Sequence, residues 1–207
     1  MFKSLTQLSL TAIFAFSVPL AAQESAPTTG QPEASSETSA DSGLDLGQPV
    51  NEGPQVGDQY SKEKHGDWDL VCLKMEAGTD PCSIIQVLAD SNGNPMAEIR
   101  LFRLNQPGGQ AVAAATVIVP LETLLPAALT ISVDGGAGKR YNYKYCNQLG
   151  CIAEIGLTQS DVDAFKKGTA ATLSLRPTPA PDQLIEMKMS LKGFTAGYNI
   201  VDIVGPE

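Results

Sequence analysis

The stretch Trp68-Asp69-Leu70-Val71-Cys72, followed after a polar loop by Asp80-Pro81-Cys82-Ser83-Ile84-Ile85-Gln86-Val87-Leu88, sets two short apolar runs against each other with a cysteine at the facing end of each. Short runs rich in Val, Ile and aromatics and bounded by turn residues read as β-strands. A hairpin turning around Asp80-Pro81 brings Cys72 opposite Cys82. The segment therefore predicts antiparallel β structure closed by a disulfide.

Working outward, Ala97-Glu98-Ile99-Arg100-Leu101-Phe102-Arg103-Leu104 alternates apolar and polar residues as a half-buried strand does, and Asn92-Gly93-Asn94-Pro95 joins it to the preceding run. Asn-Gly suits that turn because both residues accept positive backbone angles. Further strands are expected at 112–119, 129–133, 140–145, 171–175 and 184–191, with turns at Pro107-Gly108-Gly109 and Asp134-Gly135-Gly136. Short, evenly punctuated strands argue for an all-β, mainly β-sandwich-like single domain. One short helix is expected at 160–167, with Ser160 and Asp163 as a capping pair, Lys166 and Lys167 at its end, and Gly168 as a left-handed cap. Val162 and Phe165 would form its apolar edge. No repeat at a fixed period is present.

The chain has four cysteines and one histidine. Four cysteines admit three pairings, among which sequence does not choose. We adopt local pairing, Cys72 with Cys82 and Cys146 with Cys151, the second pair bracketing the turn Asn147-Gln148-Leu149-Gly150. A redox dithiol needs a low-pKa thiolate, usually in Cys-x-x-Cys, and a zinc site needs knuckle spacings on both arms; neither pattern fits. No cofactor or metal is expected.

Residues 1–22 have the order of a secretory leader: Lys3, an apolar run from Leu8 to Leu20, then Ala21-Ala22 before Gln23-Glu24. The run is shorter than the roughly 20 apolar residues that span a bilayer. Cleavage after Ala22 is expected, although Leu20 stands where a small residue is usual, and it would leave no integral membrane segment. Residues 23–60 are rich in Ser, Thr, Pro and Gly, carry seven acids and no Lys or Arg, and are expected to be disordered. Residues 61–207 form the expected domain. Its 16 acidic and 13 basic residues leave it nearly balanced, within a chain of formal charge -9. Nucleic-acid binding, which needs a basic stripe, is thereby disfavoured.

Catalytic constellations are weak. His65 reads as a solvated surface residue at the domain's entrance. Asp67 and Asp69, two apart on a strand, would share a face, as would Ser190 and Lys192, the two members of a possible Ser-Lys dyad. Neither pair is distinctive, and no catalytic residue is assigned. A binding surface is a sharper candidate. In Lys139-Arg140-Tyr141-Asn142-Tyr143-Lys144-Tyr145, alternation sends the tyrosines to one face and Arg140, Asn142 and Lys144 to the other. Tyrosine and arginine are enriched at interface centres, so Arg140, Tyr141, Tyr143 and Lys144 are candidate partner-binding residues. The plainer reading is a strand with an aromatic core face and a basic wet one.

Several segments, taken in order, resemble the invasion-associated locus B family of Gram-negative bacteria. They are Gly66-Asp67-Trp68 with Cys72, Val119-Pro120-Leu121 leading to Leu124-Leu125-Pro126, Val133-Asp134-Gly135-Gly136, Cys146 with Gly150-Cys151, and Ser190-Leu191-Lys192-Gly193-Phe194. Glu122 departs from the small residue expected there. The resemblance implies an exported, mainly β domain in the periplasm or envelope and, in some pathogenic members, a part in host-cell entry; it brings no catalytic residues. The expectation is a non-enzymatic binding or structural module whose partner is an envelope protein or cell-wall component. The alternatives are an envelope enzyme using carboxylates or a Ser-Lys pair, and a thiol-redox or stress factor.

Overall fold

A computed structural model describes residues 53–205; the expected leader over 1–22 and most of the acidic stretch over 23–60 lie outside the described residues. The elements run β1 (Gln59–His65), β2 (Trp68–Leu73), β3 (Cys82–Ala89), β4 (Pro95–Leu104), β5 (Ala111–Val119), a 3-10 turn (Leu125–Ala127), β6 (Leu129–Val133), β7 (Lys139–Tyr141), β8 (Tyr145–Asn147), β9 (Gly150–Thr158), α1 (Gln159–Lys167), β10 (Ala170–Leu175), β11 (Ile185–Ser190), α2 (Phe194–Ile200) and β12 (Ile203–Val204). The larger sheet has the order β1-β2-β3-β4-β5-β9-β8, with β12 added parallel to β4, and the smaller has the order β11-β10-β6-β7. Apart from β12 on β4, the neighbours pair antiparallel.

Period-two patterning places the core between the sheets. Ala97, Ile99 and Leu101 of β4 and Ala113, Ala115 and Val117 of β5 turn inward, as do Leu129 and Ile131 of β6, Leu173 and Leu175 of β10, and Met187 and Met189 of β11. The centre is aromatic. The Phe194 ring lies 5.5 Å from Trp68, 5.4 Å from Phe165 and 5.6 Å from Tyr198. Burying a side chain of this size contributes roughly 1.5–3 kcal/mol.

Both disulfides form as local pairs. Cys72 and Cys82 are register partners across β2 and β3, and Cys146 and Cys151 are partners across β8 and β9; both Cα separations are 4.0 Å. The loop closed by the first bridge is organised by Asp80, whose carboxylate accepts from the Met75 amide at 2.9 Å, the Tyr60 hydroxyl at 2.7 Å and the Lys74 ammonium at 3.2 Å. Those bonds, the Met75 amide foremost, hold its pKa down at about 2 against an ordinary 3.8.

Several expectations need correction. The expected strand over 140–145 is two short strands in different sheets: β7 pairs with β6, whereas β8 pairs with β9, and the chain crosses between the layers at 142–144. Strand β9 was not anticipated, because its first half, Gly150 to Ala153, is buried on both faces and only the short remainder alternates. Nor was β1, a polar edge strand beginning at Gln59, two residues before the expected domain start. The first helix begins one residue early, and its cap is Thr158 with Asp161 in a reciprocal box, not Ser160 with Asp163. Gly168 has φ -74, so it is not a left-handed cap. Its value is spatial: a Cβ there would lie 2.6 Å from a Val133 methyl. A second helix, α2, joins the one expected; Phe194, Gly197 and Tyr198 form its buried face, and buried Val201 follows as its C-cap. Gly197 weakens the helical signal in the sequence, yet a Cβ there would come within 2.8 Å of Ile84.

Two stability outcomes follow from this packing. Gln86, 7 % exposed among apolar neighbours, bonds the Asp67 and Ser190 carbonyls and the Ser190 amide; Gln86→Leu strands those groups and should lower the unfolding free energy in urea by about 1–3 kcal/mol. Asp80 has a folded pKa below its unfolded one, so its contribution is present above about pH 4 and is lost as pH falls toward 2. Acid titration of Asp80→Asn should therefore show a shallower loss of stability in that window, and an unchanged acid limb would refute the assignment.

Candidate functional site

Two of the groups that sequence offered for catalysis, Asp67 and Ser190, meet at the seam between the two sheets. Asp67 lies in the turn between β1 and β2, and its carboxylate accepts from the Ser190 hydroxyl at 2.6 Å. The same hydroxyl accepts from the Lys192 backbone amide at 3.2 Å, so Lys192 meets Ser190 through its main chain and its side chain is exposed. The Trp68 indole donates to the Ser190 carbonyl at 2.9 Å, and the Asp67 amide donates to the Lys192 carbonyl at 3.1 Å. Gln86 completes the knot through its carboxamide, donating to the carbonyls of Asp67 and Ser190 at 3.1 Å each and accepting from the Ser190 amide at 2.8 Å.

Two glycines let the strands approach this closely. A Cβ on Gly66, at φ +59, would stand 2.5 Å from the Lys192 carbonyl oxygen, and one on Gly193, at φ +87, would collide with the His65 carbonyl. The Gly66-Asp67-Trp68 and Ser190-to-Phe194 segments are thus one structural unit. Asp69 does not share Asp67's surroundings; its carboxylate faces Lys64 at 3.7 Å. His65 is half-buried, its side chain 20 % exposed, with Nε2 2.9 Å from the Glu63 carboxylate, which corrects the expectation of a solvated surface residue. The serine, the carboxylate and the histidine therefore hold structural hydrogen bonds, and no Ser-His or Ser-Lys pair forms among them.

The candidate binding segment divides differently from the expectation. Tyr141 and Tyr143 are half-buried against the core, while Arg140, Asn142, Lys144 and Tyr145 are exposed. Tyr141 and Tyr143 follow the plainer reading of an aromatic core face, which corrects the reading in which they grip a partner from the surface: Tyr141 pairs with inward Leu129, and the break of the strand at 142–144 leaves Tyr145 as the exposed aromatic of the segment. Tyr141 walls a cavity of about 240 Å³ with Ile131, Val133, Leu157 and Phe165, next to the Lys139–Asp161 ion pair at 2.5 Å. Burial, and then the Asp161 charge, raise its pKa. The Tyr143 hydroxyl is buried with no hydrogen-bond partner among the described residues, and burial pushes its pKa up to about 12. Lys144 pairs with Glu154, which raises the lysine pKa. Arg140 donates to the Ala127 carbonyl at 2.7 Å.

Sequence reasoning missed Gln86 and Arg176. Gln86 had a signal, since it stands between Ile84 and Leu88 on one face of an apolar strand. Arg176 had none, because only the pairing of β10 with β6 brings it beside Arg140. Among the described residues no group of three or more His, Cys, Asp or Glu side chains is placed to hold a metal ion, and no helix is long and apolar enough to cross a membrane.

The profile of the Invasion associated locus B (IalB) protein family matches residues 68–202. Two relatives, both Invasion protein B homologs, come from Brucella abortus strain 2308 and Brucella abortus biovar 1 strain 9-941. Each is 26% identical over 141 residues, covering 67% of this chain and 77% of the relative. The crystal structure of invasion associated protein B from Bartonella henselae aligns with a TM-score of 0.55 at 22% identity, over 66% of this chain and 92% of that one, and has the same fold.

The orphaned phenol gives a measurable consequence. Tyr143→Phe removes a buried hydroxyl that bonds nothing, so unfolding free energy at neutral pH should stay level or rise. The folded pKa of Tyr143 lies above its ordinary 10.0, so the folded state keeps its proton while the unfolded state loses it, and stability falls as pH climbs from about 10 to 12. Alkaline denaturation should be less steep in Tyr143→Phe; a clear loss of stability at neutral pH would show that the hydroxyl has a partner after all.

Proposed function

This chain belongs to the Invasion associated locus B protein family, and from that premise we propose that it is an exported envelope protein that acts by binding, without a catalytic step of its own. The reading rests first on how Ser190 and Asp67 are used. A nucleophile needs a base to take its proton and room for a substrate atom beside it. Here the Ser190 hydroxyl lies between the Asp67 carboxylate and the Lys192 amide, inside a network that joins β11 to β2 and β3. Its geometry is that of a structural clasp.

Export is supported by the leader-like residues 1–22 and by two disulfides, which persist in oxidising compartments. The periplasm or cell envelope is the proposed location. Both bridges lie across paired strands and staple hairpins, which supports a structural role over a redox one. The partner is an envelope protein or cell-wall component, met through the exposed band of Arg140, Asn142, Lys144 and Tyr145, with Tyr141 and Tyr143 anchoring that band from below. A part in host-cell entry, the role that the family name carries, would act through the same binding step.

Crosslinking in intact envelopes followed by affinity capture tests this reading. The native protein should retain a defined partner, and a Lys144→Glu, Tyr145→Ala double variant with an unchanged melting temperature should lose most of it. Turnover of peptidoglycan fragments or ester substrates by the purified chain, abolished in Asp67→Asn, would instead establish an enzyme.

A further inference from the structure

On the outer face of the small sheet, register brings Arg140 of β7 opposite Thr130 of β6, and Thr130 opposite Ser174 of β10. Arg176 follows two residues beyond Ser174, just past the end of β10. These side chains line a cleft of about 330 Å³ whose apolar lining includes Ala127, Ala128 and the exposed Leu184. That volume lies at the lower end of the range for small-molecule sites.

Both guanidiniums are held by backbone carbonyls. Arg140 donates through Nη2 to Ala127 at 2.7 Å, and Arg176 donates through Nη1 to Pro181 at 3.0 Å and to Gln183 at 3.5 Å. Neither forms an ion pair with a carboxylate among the described residues, although other cations of the same domain, such as Lys74, Lys139 and Lys144, do. The nearest acid in the register, Glu186 opposite Ser174, lines the next cavity along with Asp90. Each arginine therefore keeps N–H donors without a partner among the described residues, in a fixed orientation, within one concavity. The wall is also strained: Ala128 holds φ 60 and ψ 163, a conformation largely confined to glycine, at the peptide whose Ala127 carbonyl receives Arg140. Strain of this kind persists where the surroundings over-determine it.

We propose that this cleft binds the terminal carboxylate of a peptide whose last residue is small and apolar. Planar guanidinium forks match a carboxylate edge in a bidentate manner, and two of them beside hydroxyls of Thr130 and Ser174 supply donors to both oxygens. The alanine and leucine walls accept a short apolar side chain next to that anion, whereas a free phosphate would leave them without a partner. Capture of a chain-terminal carboxylate by fixed donors is an established mode of peptide recognition. The proposal rests on the binding-module reading above and names a ligand class for it.

Calorimetric titration of the purified full chain with N-acetyl-Ala-Ala tests it, with the C-terminal amide of the same dipeptide and inorganic phosphate as the other arms. The free acid should bind, and the amide should bind at least about tenfold more weakly, one charge-assisted contact being worth that factor or more. Arg140→Lys and Arg176→Lys keep the charge but lose the fork, and each should weaken the acid by about tenfold at an unchanged melting temperature. Equal binding of acid and amide, failure of the acid to bind, indifference to both substitutions, or tighter binding of phosphate than of the dipeptide would each overturn the assignment. Failure here with an envelope partner still captured leaves the binding module intact and removes only this site, whereas hydrolysis of the dipeptide would remove the binding-module reading itself.

Discussion

Gln86 occupies an inward position of β3 between Ile84 and Leu88, where a carboxamide costs desolvation unless its groups find partners. It finds them on both sides of the seam: the Asp67 carbonyl at the head of β2, and the amide and carbonyl of Ser190 at the end of β11. Because Ser190 belongs to the small sheet and Asp67 to the turn that leads into β2 of the large one, this side chain ties the two layers together beside the Asp67–Ser190, Trp68–Ser190 and Asp67–Lys192 bonds. The Trp68 indole shares the Ser190 carbonyl, and its ring packs on Phe194, so the polar knot and the aromatic core are two faces of one arrangement. Gly66 and Gly193 follow from it, since any side chain at either would drive the two segments apart. A buried network with its partners in place adds specificity as well as stability, because a slipped register would leave several groups unpaired at once.

At the other end of the sheets the chain itself crosses between layers. Asp134, at φ 45, leaves β6 and accepts from the Thr169 and Ala170 amides at the start of β10, bonds that lower its pKa. The chain then pairs briefly as β7 and passes over at 142–144. It re-enters the large sheet as β8, where the Cys146–Cys151 bridge closes a two-residue turn. Gly150 fits there because a Cβ would collide with the Val119 carbonyl. Each disulfide thus holds a hairpin that hydrogen bonding alone holds weakly: one ties the loop beside edge strand β1, and the other a three-residue strand at the opposite edge.

The local cysteine pairing adopted among three is the one that forms, and sequence carried the β-rich class and most interior strands, because alternation and turn chemistry report directly on half-buried strands. It lost elements where that relation fails. Strand β1 is solvated on both faces and shows no alternation, β9 is buried along much of its length, and α2 hides behind Gly197, which exists to clear Ile84. The segment 139–145 alternates as one strand would, yet tertiary pairing splits it between two sheets, and that split decides which tyrosines face water. The candidate cleft was half legible: Arg140 stood in a conspicuous aromatic and basic run, whereas Arg176 joined it only through the register of β10 against β6.

The residues by which the family is recognisable are accounted for by the fold. Gly66, Asp67 and Trp68 with Ser190 and Phe194 make the clasp, Val119 to Pro126 carries the turn against which β10 ends, Asp134 ties β6 to β10, and the cysteines hold the edges. Such residues transmit an architecture, and architecture does not dictate what a site recognises. Positions that a sandwich leaves free for recognition are the outward faces and the loops at their ends. On the small sheet those positions are Thr130, Arg140 and Ser174, with Arg176 just beyond. Their two cations are oriented by carbonyls and form no ion pair with an acid among the described residues. A packing role would be met equally by uncharged residues; cations held in place and unpaired are what an anionic partner requires.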